Sequence, residues 1–502
     1  MEASPSSTPG LKRSLSVWAA VGLSVALMAP SMAANINPQG SALHAGRAVP
    51  LTFLIAAVGV LLVAYSFVRL CQYFHHSGSV YAFVGATLGP RTGVVAGWGL
   101  LGTYTFYAVV TSAAAGIFGT AFLQEVGIWH NPPTWAPFVL LAVALLLALW
   151  LAIMPVRRGG HILLTVEGTT VALILVVTAV VLVRLLAGNA PGGHTFTLSV
   201  FSVPSGTPVN EVFLGVVFGF LSFAGFEAAA TLGEEAHRPT RDIPRAILGT
   251  AIFGGLYFVI VTAVEVMGFG ADPAGVKAFT SSQSLLGDLG SSYVGSWVGD
   301  VITLGTAISA FGCCLACVVG AARLVYALSR DTAGPRGLGQ SHPRWGTPVW
   351  ATVAVVVAAA IIVIVETAVS AQANAFNSFL WSGTIGTLIL LVVYVLASVG
   401  CIMLVFVRHK LPVPMWQIIV PIAGLVVLGY TLYRNVWPWP AGSAAWLPLT
   451  SGIWLVVAVV VVIFAAGTAR KLGAALAARE GIKAPGTEEP EPRLAAARDE
   501  TA

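Results

Sequence analysis

The residues with the strongest claim to chemistry are carboxylates set in apolar sequence. Glu227 lies two residues past Gly225 in FGFLSFAGFEAAATLGEEAHRPTRDIPRA, which begins at Phe218. A charge at mid-bilayer costs about 2.5–3.5 kcal/mol on insertion scales, so such a carboxyl is a functional candidate by default. It can exchange a proton or pair with a substrate ammonium; a structural hydrogen bond is the plainer role. Glu167 stands six residues past His161, roughly 9 Å inside a span at 1.5 Å per residue. It is the second proton-coupling candidate, with an interfacial position as the alternative. Glu265, near the outer end of its span, has a weaker claim. Glu234 and Glu235 sit among Arg238, Arg241 and Arg245 and read as loop ion pairs or an inner gate, while His75 and His76 read as solvated loop residues. Phe220, Phe223, Tyr104 and Tyr107 are gate candidates, with packing as the alternative for each.

Several chemistries find no support. Cys313, Cys314 and Cys317 share one apolar span with no His or carboxylate beside them, so small packing residues fit better than a metal or redox site. No G-x-x-x-x-G-K-[ST], HExxH, paired intramembrane aspartates or Ser/His pair is present. Neither ATP-driven pumping nor enzyme chemistry is expected, and no cofactor or metal.

These residues must be held by spans. Of 502 residues, 57% are hydrophobic and 9% charged, where a soluble domain carries about 25% charge. A chain this apolar presents its surface to lipid. About 20 apolar residues cross a bilayer, and twelve such stretches are expected near 15–36, 50–71, 93–123, 134–154, 161–187, 210–233, 243–269, 297–328, 349–367, 374–407, 414–433 and 446–469. The first follows Lys12 and Arg13 but exceeds a signal-peptide core, and more spans follow it. With the N-terminus cytoplasmic, alternation puts 21 Lys and Arg inside and only Arg47, Arg184, Lys277 and Arg434 outside. That is the positive-inside pattern. It also disfavours nucleic-acid binding despite the net charge of +5, because the basic residues sit in short loops and not on one stripe. Trp437, Trp439 and Trp446 look like an interfacial belt. Residues 1–14 and 471–502 are expected to be cytoplasmic, the latter a solvated, disordered tail, with 15–470 forming the membrane domain. Monomer and homodimer both remain open.

Two spans look interrupted. The first reads VGLSVALMAPSMAANINPQG from Val21, with Pro30 in mid-helix; a simple kink is the alternative. The sixth carries Gly225 beside Glu227. Unwound backbone at membrane depth is tolerated only around a polar cavity, and two interrupted spans five helices apart match the inverted-repeat transporter plan.

F-A-G-F-E followed by E-E-x-x-R-P-x-R-x-I-P-R-A resembles the sixth-helix signature of the amino acid–polyamine–organocation transporters. SGSVYAFVGATLGPRTGVVAGW at 77–98 resembles that family's loop and third-helix entry. ARLVYALSRDTAGP at 322–335 with SHPRWGTP at 341–348 resembles its eighth-helix exit. The resemblance implies an all-α fold of the leucine-transporter type, five helices plus five inverted and then two more. It implies a substrate site between the broken helices, at Ala29, Pro30, Ser31, Met32 and Ala33 and at Phe223, Ala224, Gly225, Phe226 and Glu227. It also implies coupling to a proton or sodium gradient. Two departures stand out. The family's first-helix G-S-G-[IV] run is replaced by Ala29-Pro30-Ser31-Met32-Ala33, and Leu221 takes the position where some antiporters have a gating Trp. The expected function is a secondary transporter of amino acids in the cell membrane, coupled to protons in preference to sodium or working by exchange. An amine or polyamine transporter is the nearer alternative, and a membrane sensor or membrane enzyme the more distant one.

Overall fold

The computed structural model describes residues 17–74, 80–154, 159–232, 236–330, 337–370, 374–464, 467 and 470–471. The segment 1–14, His75, His76, Glu234, Glu235 and the tail beyond 471 lie outside the described residues. Among the described residues there are helices and no β-strand. Lipid offers the backbone no hydrogen bonds, so an apolar chain satisfies its N–H and C=O groups within helices.

The helices are α1 (Val17–Met28), α2 (Pro30–Ala45), α3 (Val49–Tyr73), α4 (Val80–Leu88), α5 (Pro90–Glu125), α6 (Ala136–Ile153), α7 (Gly159–Leu186) and α8 (Val212–Phe223). The remainder are α9 (Pro239–Phe269), α10 (Pro273–Ser281), α11 (Leu285–Tyr293), α12 (Ser296–Arg330), α13 (Val349–Val369), α14 (Ala375–Ile402), α15 (Ile419–Val436) and α16 (Trp446–Phe464). Eleven helical runs among the described residues are long and apolar enough to cross a membrane, the first of them the 54-residue Ala20–Tyr73. A single helix of that length would reach roughly 80 Å, far beyond about 30 Å of hydrocarbon. It turns at Gly46 (φ 56°, ψ −129°), so this run is long enough for two passes.

Side chains sort as a bilayer requires. Leu146, Trp150, Ile361, Ile364, Val456, Val460 and Phe464 point outward from α6, α13 and α16, where lipid covers them. The interior is built from small residues that let helices approach closely. A Cβ on Gly116 would collide with the Pro137 carbonyl oxygen, and one on Gly93 would sit 2.8 Å from the Gly85 Cα. The long helix α5 lies at the centre, packed on α12, α14, α6 and α4. Around it α3 lies along α9, and α2 lies on α8.

The first and sixth spans are both broken. The sequence points to Pro30–Ala33 as the irregular stretch of the first; the structure puts the break one residue earlier. Ala29 is left-handed (φ 44°, ψ 58°) and Pro30 is the first residue of α2. Proline has no N–H to lose at that position and its fixed φ suits a helix start, so Pro30–Ala33 is regular helix. In the sixth span α8 stops at Phe223, residues 224–227 form turns, and a short 3₁₀ helix covers Ala228–Leu232. Gly225, at φ 108°, adopts a backbone that residues with a Cβ avoid.

Candidate functional site

The two breaks wall one small enclosed cavity, of about 30 Å³. The first span contributes Leu27, Met28 and Met32, and the sixth Leu221, Ala224, Gly225 and Glu227. From α5 come Leu100, Thr103, Tyr104, Tyr107, Val110 and Thr111, from α12 Cys313 and Cys317, and from α14 Leu390. That volume holds about one or two waters, so anything larger requires the walls to part.

Glu227 is the charged residue of this wall, and it is 8% exposed. Its Oε2 accepts the Tyr394 hydroxyl at 3.0 Å and the Gly225 N–H at 3.3 Å. Glycine makes this possible, because only the turn at 224–227 lets a carboxylate fold back onto an amide two residues earlier. Tyr394 is itself buried and packs edge-on against Phe67 and Phe226 at 5.8 and 5.7 Å. The carboxyl is therefore held in one orientation, as a pre-organised binding group must be.

The backbone at the breaks is largely satisfied by tight turns. Ala224, Phe226, Ala228 and Ala230 donate to the carbonyls of Leu221, Phe223, Gly225 and Glu227 at 3.3, 3.1, 2.9 and 2.9 Å. Ala229 N–H donates to Ser24 Oγ at 2.9 Å, which ties the sixth span to α1. Asn37 Nδ2 donates to Ser222 Oγ at 2.6 Å, which ties α2 to α8.

Glu167 lies outside the cavity wall. From α7 its Oε1 accepts the Ser31 N–H at 2.9 Å, so a buried carboxyl caps the first turn of α2, where helix N–H groups have no intrahelical partner. Tyr257 donates to the Pro30 carbonyl at 3.4 Å and lies within electrostatic range of Glu167 and Glu265. Glu265 is fully buried and neither carboxyl oxygen has a hydrogen-bond partner.

Of the residues singled out from sequence, the cavity brings together Met32, Ala224, Gly225, Glu227, Tyr104 and Tyr107. Ala29, Pro30, Ser31, Ala33, Phe223 and Phe226 are buried behind the wall. Phe223 packs edge-on against Phe258 at 5.3 Å. Phe220 lies over Gly59, where a Cβ would come within 2.7 Å of its ring. Three features of the site were not anticipated: Tyr394 behind Glu227, and the thiols of Cys313 and Cys317 in the wall. Cys313 Sγ donates to the Leu27 carbonyl at 3.3 Å. The 313/317 spacing of one helical turn was a legible signal that both share a face; Tyr394 gave none, being one hydroxyl in a long apolar run. Glu366 is also buried, bonded to Ser382 at 2.7 Å, in the ninth span.

Eleven membrane-length helical runs among the described residues, with two breaks beside a buried carboxyl, define a polytopic membrane protein. A family model for amino acid permeases matches residues 38–472, and the chain belongs to that family. It is similar to a low-affinity putrescine importer of Escherichia coli K12, 28% identical over 343 residues, covering 67% of this chain and 72% of the relative. It is similar to a branched-chain amino acid permease of Bacillus subtilis, 27% identical over 328 residues, 62% of this chain and 66% of the relative. Human cationic amino acid transporter 4 is 28% identical over 324 residues, 62% of this chain and 48% of the relative.

Proposed function

We propose that the chain is a secondary transporter of an amine-bearing small molecule, an amino acid or an organic amine, that works by alternating access about the two broken helices. The observation that carries this is Glu227: a carboxyl fixed by Tyr394 and Gly225, in the wall of a cavity to which both breaks contribute. Such a group pairs with an ammonium or takes up and releases a proton. Family membership supports the transport class, as do relatives named as importers and permeases. The cavity is too small for such a substrate, which agrees with a closed conformation from which either side opens.

Coupling to protons is the favoured form, through Glu227 or Glu167. The breaks fall in spans one and six, as an arrangement of five helices plus five inverted requires. The asymmetry of basic residues favours a cell-membrane protein with both termini cytoplasmic.

The test is uptake of a panel of amino acids and amines into proteoliposomes, with pH and sodium gradients imposed separately. Accumulation driven by the pH gradient and lost in Glu227→Gln is the expected result. Accumulation that follows sodium and ignores Glu227→Gln would refute the proposed coupling and the proposed centre together.

A further inference from the structure

Resting on the reading of this cavity as the substrate site, we infer that it selects organic amines that carry no carboxylate and rejects α-amino acids.

A zwitterion needs two kinds of partner, and the wall supplies one. Helix N-termini are the usual place for a carboxylate in an unwound membrane site. Here the N–H groups of Ser31 and Ala33, in the first turn of α2, are turned to protein. Pro30 has none. Ser31 gives its N–H to Glu167, and neither residue reaches the cavity. Ala229 gives its N–H to Ser24, and Gly225 gives its own to Glu227. In effect Glu167 is a built-in carboxylate on the end of α2 that a substrate carboxylate would otherwise occupy.

The helix ends that do reach the cavity are the other kind. Both α1, ending at Met28, and α8, ending at Phe223, stop there with their C-termini, and Leu27, Met28, Leu221 and Ala224 stand in the wall. Helix C-termini carry partial negative charge and favour cations. Glu227 adds a full charge of the same sign, and among the described residues no Lys, Arg or His lines the wall. The threonine hydroxyls of α5 are spent on backbone carbonyls, Thr103 on Gly386 and Thr111 on Tyr107, while Tyr107 is paired with Thr387. A carboxylate brought in would be desolvated and beside like charge, with no cationic side chain among the described lining residues to pair it, which disfavours it. An ammonium meets favourable charge from three directions.

Pairs of compounds that differ only by the α-carboxylate test this: agmatine and arginine, cadaverine and lysine, isopentylamine and leucine. In proteoliposomes the amine of at least one pair should be taken up, or compete for uptake, at least about tenfold better than its amino acid. That uptake should be lost in Glu227→Gln. Glu167→Ala, which bares the Ser31 N–H, should narrow the ratio; the wild-type comparison stands on its own if this variant fails to fold. Amino acids taken up as well as their amines, with Glu227→Gln still inactive, would overturn the inference and leave the transport reading intact. If no member of any pair moves or competes, the transport reading falls and this inference with it.

Discussion

The two broken spans solve one problem in different ways. In the first, the change of direction is concentrated in a single left-handed residue, Ala29, and Pro30 starts the next helix at once. In the sixth it is spread over residues 224–227, with Gly225 carrying the positive φ and successive three-residue turns closing the backbone. The first break is closed from outside, by Glu167 reaching across from α7. The second is closed by its own Glu227, two residues from the amide it accepts. Glu227, bonded to its own turn and to the Tyr394 hydroxyl of α14, stands in the cavity wall, while Glu167, capping α2 from α7, does not. Under the proposed function, the contrast favours Glu227 over Glu167 as the group that meets substrate.

Substitutions at the two breaks should separate along that line. Glu227→Gln keeps shape but removes charge, and loss of one partner from a buried ion pair costs about 2–5 kcal/mol. Affinity for an amine, measured by equilibrium binding in detergent, should fall more than about thirtyfold while folding survives; unchanged affinity from pH 5 to 8 would take Glu227 out of the mechanism. Gly225→Ala forces a Cβ into φ 108° and to 2.9 Å from the Leu27 Cβ. Strain of this kind costs about 1–3 kcal/mol, so both thermal stability and uptake should drop, and wild-type behaviour would mean that the turn relaxes freely. Tyr394→Phe removes one hydrogen bond to the carboxyl, worth about 1 kcal/mol or more. A rise in KM of about fivefold is expected, with the fold intact. Ala29→Gly should have the smallest effect and the opposite sign. It relieves a left-handed residue at about 1–2 kcal/mol and gives back part of that in chain entropy. A small gain in melting temperature with normal uptake is the expected outcome, and a loss would show that the Ala29 methyl packs against something essential.

Much of this was legible in the residues. Span positions follow from hydropathy, since lipid leaves an apolar run few alternatives to a helix. The interruptions follow from Pro30 and from Gly225 beside Glu227. The placement of the first break was off by one residue, because proline marks the start of the second half-helix and not its gap. The phenylalanines at 220 and 223 were gate candidates on position alone. Which face of α8 meets the cavity depends on neighbours far along the chain, and Leu221 faces it instead. The hydroxyl role of Tyr394 and the partner of Ser31 are illegible for the same reason. Their roles exist only through partners 167 and 136 residues away, and no local pattern encodes such a pairing.

The thiols in the wall give direct access to the central claim that the cavity between the breaks is where substrate binds. Cys313 and Cys317 line it, while Cys71, Cys314 and Cys401 are buried elsewhere. With those three replaced by serine, the rate of Cys317 alkylation by a small maleimide can be followed by mass spectrometry as the transporter opens and closes in membranes. Saturating amine substrate should slow that rate at least severalfold, and Glu227→Gln should abolish the protection. An alkylation rate unchanged by a substrate that the same membranes transport would place the binding site elsewhere.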